Sequence, residues 1–176
     1  HQRQQPRLGG NDAEHACQSE AIEIAMLERL ALSAEHRNDE TESHTERVGR
    51  TAARLARKAG LPSREVTLIE RAACLHDIGK IGIPDGILLK PGRLTSDEFG
   101  VVKNHTVIGA DILSGWSFPL LEMAREIALS HHEHWDGGGY PSGLRGEKIP
   151  LSGRIVALAD AYDVITHRRP YKQARS

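Results

Sequence analysis

What most restricts this chain is the placement of its histidines, several of which stand on lines of sequence that otherwise read as the buried faces of helices. Val48, Ala52, Leu55 and Ala59 recur at helical spacing and predict a helix over about residues 42–59, stopped by Gly60. His44 continues that line one turn earlier, and Glu40 stands one turn before His44. Ile69, Ala73 and His76 share a face of a helix predicted over about 64–78, opened by Ser63 and carrying Asp77 at its end. The capping box Thr95–Glu98 opens a helix in which Val101, His105, Ile108 and Ile112 form one line, closed by Gly115. A helix over about 119–132 ends in His131 and His132, and the last, over about 151–167, carries Asp160 one turn after Val156.

The rest of the chain frames these helices. A leading helix over about 13–38, with Ile22, Met26, Leu27 and Leu30 as its apolar stripe, reads as core, as a stalk from an upstream domain or as a dimer seam. Residues 1–12 are polar and aperiodic and read as a disordered lead-in. Residues 79–93 and 133–150 are rich in Gly and Pro and predict loops, and Gly153 predicts a slight weakening of the last helix. No strand alternation and no repeat interrupts this pattern. The expectation is an all-α, single-domain helical bundle of five to seven helices, its main body over 39–176.

Composition removes other classes. With 4% aromatic residues and a net charge of −1, the chain has neither the basic field nor the stacking platform of a nucleic-acid polymer binder. No apolar run is long enough to span a bilayer. Cys17 and Cys74 make neither a disulfide framework nor a thiolate metal site, and the polar start resembles no signal peptide; together these predict a cytoplasmic protein.

Burying that many imidazoles and carboxylates without partners would cost several kcal/mol each, at about 1–3 kcal/mol or more per unsatisfied group. Divalent cations remove the cost by taking neutral imidazole and carboxylate directly. Glu40, His44, His76, Asp77, His105, His131, His132 and Asp160 are too many donors for one ion, so the set implies two or three ions sharing a bridging carboxylate, with Asp77 and Asp160 as candidates. Because adjacent helical residues diverge by ~100°, His131 and His132 reach different ions or sit on a frayed last turn. A nitrogen and oxygen set without thiolate suits Fe, Mn, Ni, Co or Zn. Two such ions can acidify a water held between them and stabilise both oxygens of a phosphate ester being cut.

These residues carry a resemblance. His76-Asp77-x-x-Lys80 resembles the signature of the HD metal-dependent phosphohydrolase superfamily. Gly139-Tyr140-Pro141, preceded by His131-His132-Glu133 and Trp135-Asp136-Gly137, is similar to the HD-GYP subgroup. Asp39-Glu40-Thr41-x-x-His44, Gly143-Leu144-x-Gly146-Glu147-x-Ile149-Pro150, Ala159-Asp160-x-Tyr162-Asp163 and Arg169-Pro170-Tyr171-Lys172 extend the match over about residues 38–174.

The resemblance implies the HD phosphohydrolase bundle and hydrolysis of cyclic di-GMP, a bacterial second messenger, to the linear dinucleotide pGpG and in some members to GMP. It implies the metal ligands Glu40, His44, His76, Asp77, His105, His131, His132 and Asp160, with Glu40 completing a third site. Two or three divalent ions follow, iron or manganese ahead of nickel, cobalt, zinc and magnesium. Asp77 and Lys80 become the catalytic pair, and Lys80, Tyr140, Asp163, Arg169 and Lys172 the substrate contacts. Tyr140 stacks on a guanine or fastens its loop; Glu133 and Asp136 support the ligands or cap the loop. Relatives that act on another cyclic dinucleotide, or that bind a diguanylate cyclase through the GYP loop without catalysis, are the alternatives. A homodimer through the leading helix is a further implied contact. Family domains continue through one or two helices after the Arg-Pro-Tyr-Lys box, so a chain ending at Ser176 is truncated or unusually short.

Overall fold

The computed structural model describes residues 22, 24–31 and 43–167. Glu40, Arg169 and Lys172 lie outside the described residues. The described elements are helical throughout: α1 (Ser43–Lys58), α2 (Ser63–Ala73), α3 (Asp85–Leu88), α4 (Ser96–Lys103), α5 (His105–Ile112), α6 (Pro119–Ser130) and α7 (Leu151–Thr166), with 3-10 turns at Ile78–Gly82 and Gly146–Lys148. The bundle matches the all-α expectation.

The core lies between α1, α2, α6 and α7, where Val48, Ala52, Ala56, Ile69, Leu75, Leu121, Ile127 and Val156 are fully buried. Small residues set the spacing of α1 and α2. A Cβ on Gly49 would stand 2.6 Å from the Glu70 carbonyl, so only glycine permits this crossing. Gly60 ends α1 with φ +82°, and Leu61 N–H reaches back to the Ala56 carbonyl at 3.1 Å, the bond pattern of a left-handed helix stop.

Four expectations need correction. The leading helix turns Ile24, Leu27 and Ala31 toward the core, an i, i+3, i+7 line, and leaves Ile22, Met26 and Leu30 exposed. Its rotation is pinned by Glu28, whose carboxylate takes Arg71 of α2 at 2.9 Å. The stretch 79–93 is not irregular throughout: it holds the first 3-10 turn and α3. Gly153 is not merely a weak helix residue, because a Cβ there would run into the Ser130 side chain; the glycine lets α7 approach the end of α6.

The fourth concerns the helix predicted from Thr95 to Gly115, which breaks at Asn104. Its capping box is present, with Glu98 N–H donating to Thr95 Oγ1 and Thr95 N–H to Glu98. At the break, the His105 ring takes the Val102 carbonyl at 2.7 Å and the Thr106 hydroxyl takes the Lys103 carbonyl at 2.9 Å. Side chains thus compete with the helical ladder for these carbonyls, and the chain restarts as α5.

Candidate metal centre

α2 ends at Ala73, earlier than its apolar line suggested, and the chain tightens into i to i−3 bonds through Cys74, Leu75 and His76. His76 and Asp77 therefore stand beyond the helix, and Lys80 N–H bonds the Asp77 carbonyl at 2.9 Å within the following 3-10 turn. Three residues per turn eclipse positions i and i+3. Lys80 Nζ consequently meets Asp77 Oδ2 at 2.7 Å. Gly79 lets this turn press onto α5: a Cβ there would collide with the His105 carbonyl and the Gly109 amide. That close approach carries His105 to Asp77.

α6 stops at Ser130, so His131 and His132 leave the helix on the turn that follows, and their rings lie 4.1 Å apart. Of the two readings of this pair, the structure gives the frayed last turn. Asp77, His105, His131 and His132 each offer a donor atom to one cluster, and His44, His76 and Asp160 to a second, with all donor atoms in each cluster within 4.8 Å of one another.

Hydrogen bonds fix which ring nitrogen faces inward. Nδ1 of His76 meets the Ala73 carbonyl at 2.7 Å, Nδ1 of His105 the Val102 carbonyl at 2.7 Å, and Nδ1 of His131 the Ile127 carbonyl at 3.0 Å. A carbonyl only accepts, so each Nδ1 carries a proton, and each ring in its neutral form presents an Nε2 lone pair to the centre. His44 does the same with a carboxylate: its Nδ1 donates to Asp163 Oδ2 at 2.7 Å.

Asp77 Oδ1 lies 3.3 Å from His105 Nε2 and 3.7 Å from His131 Nε2, while Oδ2 lies 3.2 Å from His76 Nε2. Oδ1 is buried and receives no hydrogen bond among the described residues. Lone pairs thus face lone pairs, an arrangement that a cation satisfies. Donors on bonds of about 2.0–2.2 Å stand roughly 3–3.5 Å apart around a tetrahedral or octahedral ion, close to these separations. The cluster fits a divalent metal site. Asp77 faces both clusters, one oxygen to each, whereas Asp160, 3.5 Å from His44, stands in the second cluster with His44 and His76. Of the two bridging candidates, Asp77 has oxygens near rings of both clusters.

Charge follows from this packing. Burial works to raise the Asp77 carboxyl, but the Lys80 ammonium 2.7 Å away outweighs it and holds the group well below the ordinary carboxylate range. Burial pushes His105 down to about 4 and His132 down to about 2, keeping both neutral. Burial also raises the Tyr140 hydroxyl above its usual range, so it remains a proton donor. The Tyr140 ring stacks on His132 at 4.7 Å.

The loop after His132 is tied by its own acids. Glu133 accepts the amides of Ser142 and Leu144 at 2.8 and 2.9 Å, and Asp136 accepts Gly138 N–H at 2.8 Å. A Cβ on Gly139 would strike the backbone of residues 132–134, so the loop folds closely on itself at the glycine before Tyr140.

Asp163 departs from its expected place among the substrate contacts. It is buried, and its two oxygens are taken by the Arg47 guanidinium at 2.6 and 2.8 Å and by His44. It positions His44 instead. Arg47 escaped the sequence reading, although it stands three residues after His44 as Asp163 stands three after Asp160, which places both pairs one turn apart on facing helices. Phe99 and Lys103 of α4 also escaped it; Lys103 Nζ lies 5.2 Å from the Tyr140 ring centre.

Comparison with known proteins agrees with this geometry. Residues 26–176 match the HD domain. A cyclic di-GMP phosphodiesterase of Thermotoga maritima is 55% identical over 150 residues, 85% of this chain and 41% of that protein. The cyclic di-GMP phosphodiesterase response regulator RpfG of Xanthomonas campestris pv. campestris is 50% identical, over 88% of this chain and 41% of its own length. The 3'3'-cGAMP-specific phosphodiesterase 2 of Vibrio cholerae is 44% identical, over 84% of this chain and 28% of that protein. The chain thus spans about two-fifths or less of the length of these relatives. A crystal structure of a cyclic GMP-AMP-specific phosphodiesterase of V. cholerae shares the fold, with a TM-score of 0.54 at 23% identity over 79% of this chain and 40% of that one. By its matched domain, its His76–Asp77 pair and its Gly139–Tyr140–Pro141 loop, the chain belongs to the HD-domain family, in the HD-GYP subgroup.

Proposed function

We propose that this chain is a metal-dependent phosphodiesterase that hydrolyses cyclic di-GMP to pGpG and, on a second cut, GMP. The observation that carries the reading is Asp77, whose two oxygens face two separate clusters of inward-turned imidazoles. Asp77, His105, His131 and His132 would hold one ion, His44, His76, Asp77 and Asp160 another, and Glu40 would serve a third. Iron or manganese is the ion of choice for this nitrogen and oxygen set, with nickel, cobalt, zinc and magnesium as substitutes. When bound, the ions supply Lewis acidity, which activates water and offsets charge on the phosphate.

The chain's own residues do the rest. Lys80 sets an ammonium at the Asp77 edge, where it opposes the negative charge that grows on phosphorus oxygens during cleavage. Asp163, held by Arg47, keeps His44 with its proton on Nδ1 and its lone pair inward. Tyr140 contacts the substrate with its hydroxyl, and Arg169 and Lys172 hold the second phosphate. In support stand the cyclic di-GMP phosphodiesterases that are 50–55% identical over most of this chain. A second reading, hydrolysis of the mixed cyclic GMP-AMP, is favoured by the relative of that specificity at 44% identity. The exposed residues Ile22, Met26 and Leu30 support a homodimer through the leading helix, and the loop over 133–150 offers a surface for a protein partner such as a diguanylate cyclase.

The test is anaerobic loading with Fe(II) or Mn(II), followed by product analysis on cyclic di-GMP and elemental analysis of the same sample. Turnover to pGpG with about two or more ions per chain supports the reading. A metal-loaded protein that binds the nucleotide and releases no product identifies a silent binding module instead.

A further inference from the structure

Beyond the metal clusters, the chain builds a second feature beside one of them. Lys103, at the end of α4, stands over two rings at once: its Nζ is 5.0 Å from the centre of Phe99 and 5.2 Å from the centre of Tyr140. The two rings meet edge to face, 6.4 Å apart at 82°. Tyr140 in turn stacks on His132 and lies 6.3 Å from the His105 ring, which places the group against one metal cluster. Phe99 is 45% exposed, a large apolar ring left open beside a polar centre. No carboxylate among the described residues pairs with Lys103. An ammonium has three N–H donors, and ring faces satisfy them only weakly, so donors remain for a ligand.

An open aromatic face beside an unneutralised N–H donor suits a purine that presents acceptors along one edge. Guanine offers O6 and N7 together as acceptors; adenine puts an amino donor where guanine has O6. We propose that Lys103, framed by Phe99 and Tyr140, reads a guanine base of the substrate and sets the preference for guanine over adenine. Phe99 supplies the stacking surface, and Lys103 donates to O6 and N7. The inference rests on the cyclic-dinucleotide reading above and names the residues that choose among such substrates.

The experiment measures kcat/KM for cyclic di-GMP, 3',3'-cyclic GMP-AMP and cyclic di-AMP with the metal-loaded full chain and its K103M, K103R and F99L variants. Calorimetric binding of the same nucleotides reads discrimination without turnover. K103M keeps the apolar stem and removes the donor. The expected result is a fall of about 10- to 100-fold in the preference for cyclic di-GMP over cyclic di-AMP, retained preference in K103R, and weaker binding of every purine dinucleotide in F99L. An unchanged preference in K103M overturns the proposal, as does an equal loss on all three nucleotides, which assigns Lys103 to the phosphates they share. If wild type binds with guanine preference that K103M erases but releases no product, the phosphodiesterase reading fails and the base reading stands.

Discussion

Asp163 of α7 accepts the Nδ1–H of His44 of α1 at 2.7 Å, across 119 residues of sequence. The same carboxylate is gripped by Arg47 one turn further along α1, so a single buried acid locks the two helices and fixes the proton of a metal-facing imidazole. Asp163→Asn keeps the volume and removes the charge. We expect metal affinity and activity to fall about 10- to 100-fold with the helical fold retained, read by calorimetric metal titration and initial rates.

Asp77→Ala removes the oxygens that face both clusters. Hydrolysis should drop below detection and bound metal should fall, while far-UV circular dichroism stays native. Full turnover with a full metal complement in this variant would contradict the bridging role.

The metal-free protein should lose stability as pH falls from 6.5 toward 4. In the unfolded chain histidine takes a proton near its ordinary value of 6.5, whereas folded His105 does so only at about 4 and folded His132 at about 2. The unfolded state then binds more protons, so stability is greatest above pH 6.5 and declines by on the order of 1 kcal/mol per pH unit for each such group. Thermal melts in chelator across that range check the slope.

Gly153→Ala sets helix propensity against packing. Alanine is favoured in a helix by about 1 kcal/mol, yet its Cβ meets the Ser130 side chain where α7 crosses the end of α6. Packing should win, with a loss of about 1–3 kcal/mol and a melting point lower by several degrees; a higher melting point would show that Ser130 moves aside.

Chelation should lower the melting temperature as well as the activity, because the ions bind the folded state alone. At an ion concentration 100 times the dissociation constant the stabilisation is about 2.7 kcal/mol, and re-addition of Mn(II) should restore both.

Much of the site was legible because metal ligands on helices borrow the periodicity of the core. His44 and His105 could be picked out as imidazoles occupying positions that an apolar residue would otherwise fill, and both are buried. His76 was found by the same line although α2 ends before it, since the 3-10 continuation keeps the chain turning. What escaped depends on contacts between distant segments. Asp163 was expected at the substrate, and its bonds to His44 and Arg47 emerge only when α1 and α7 are set side by side. The role of Gly153 depends on Ser130, 23 residues away. The break at Asn104 depends on where side-chain donors bond, which the apolar line through Val101 and His105 does not encode.

The anchoring of the imidazoles to main-chain oxygens has a wider consequence. Ala73, Val102 and Ile127 aim three rings before any ion arrives. Assembly of the cavity is thereby separated from its loading. Such a scaffold would present its donors to a divalent ion without rebuilding its helices around it.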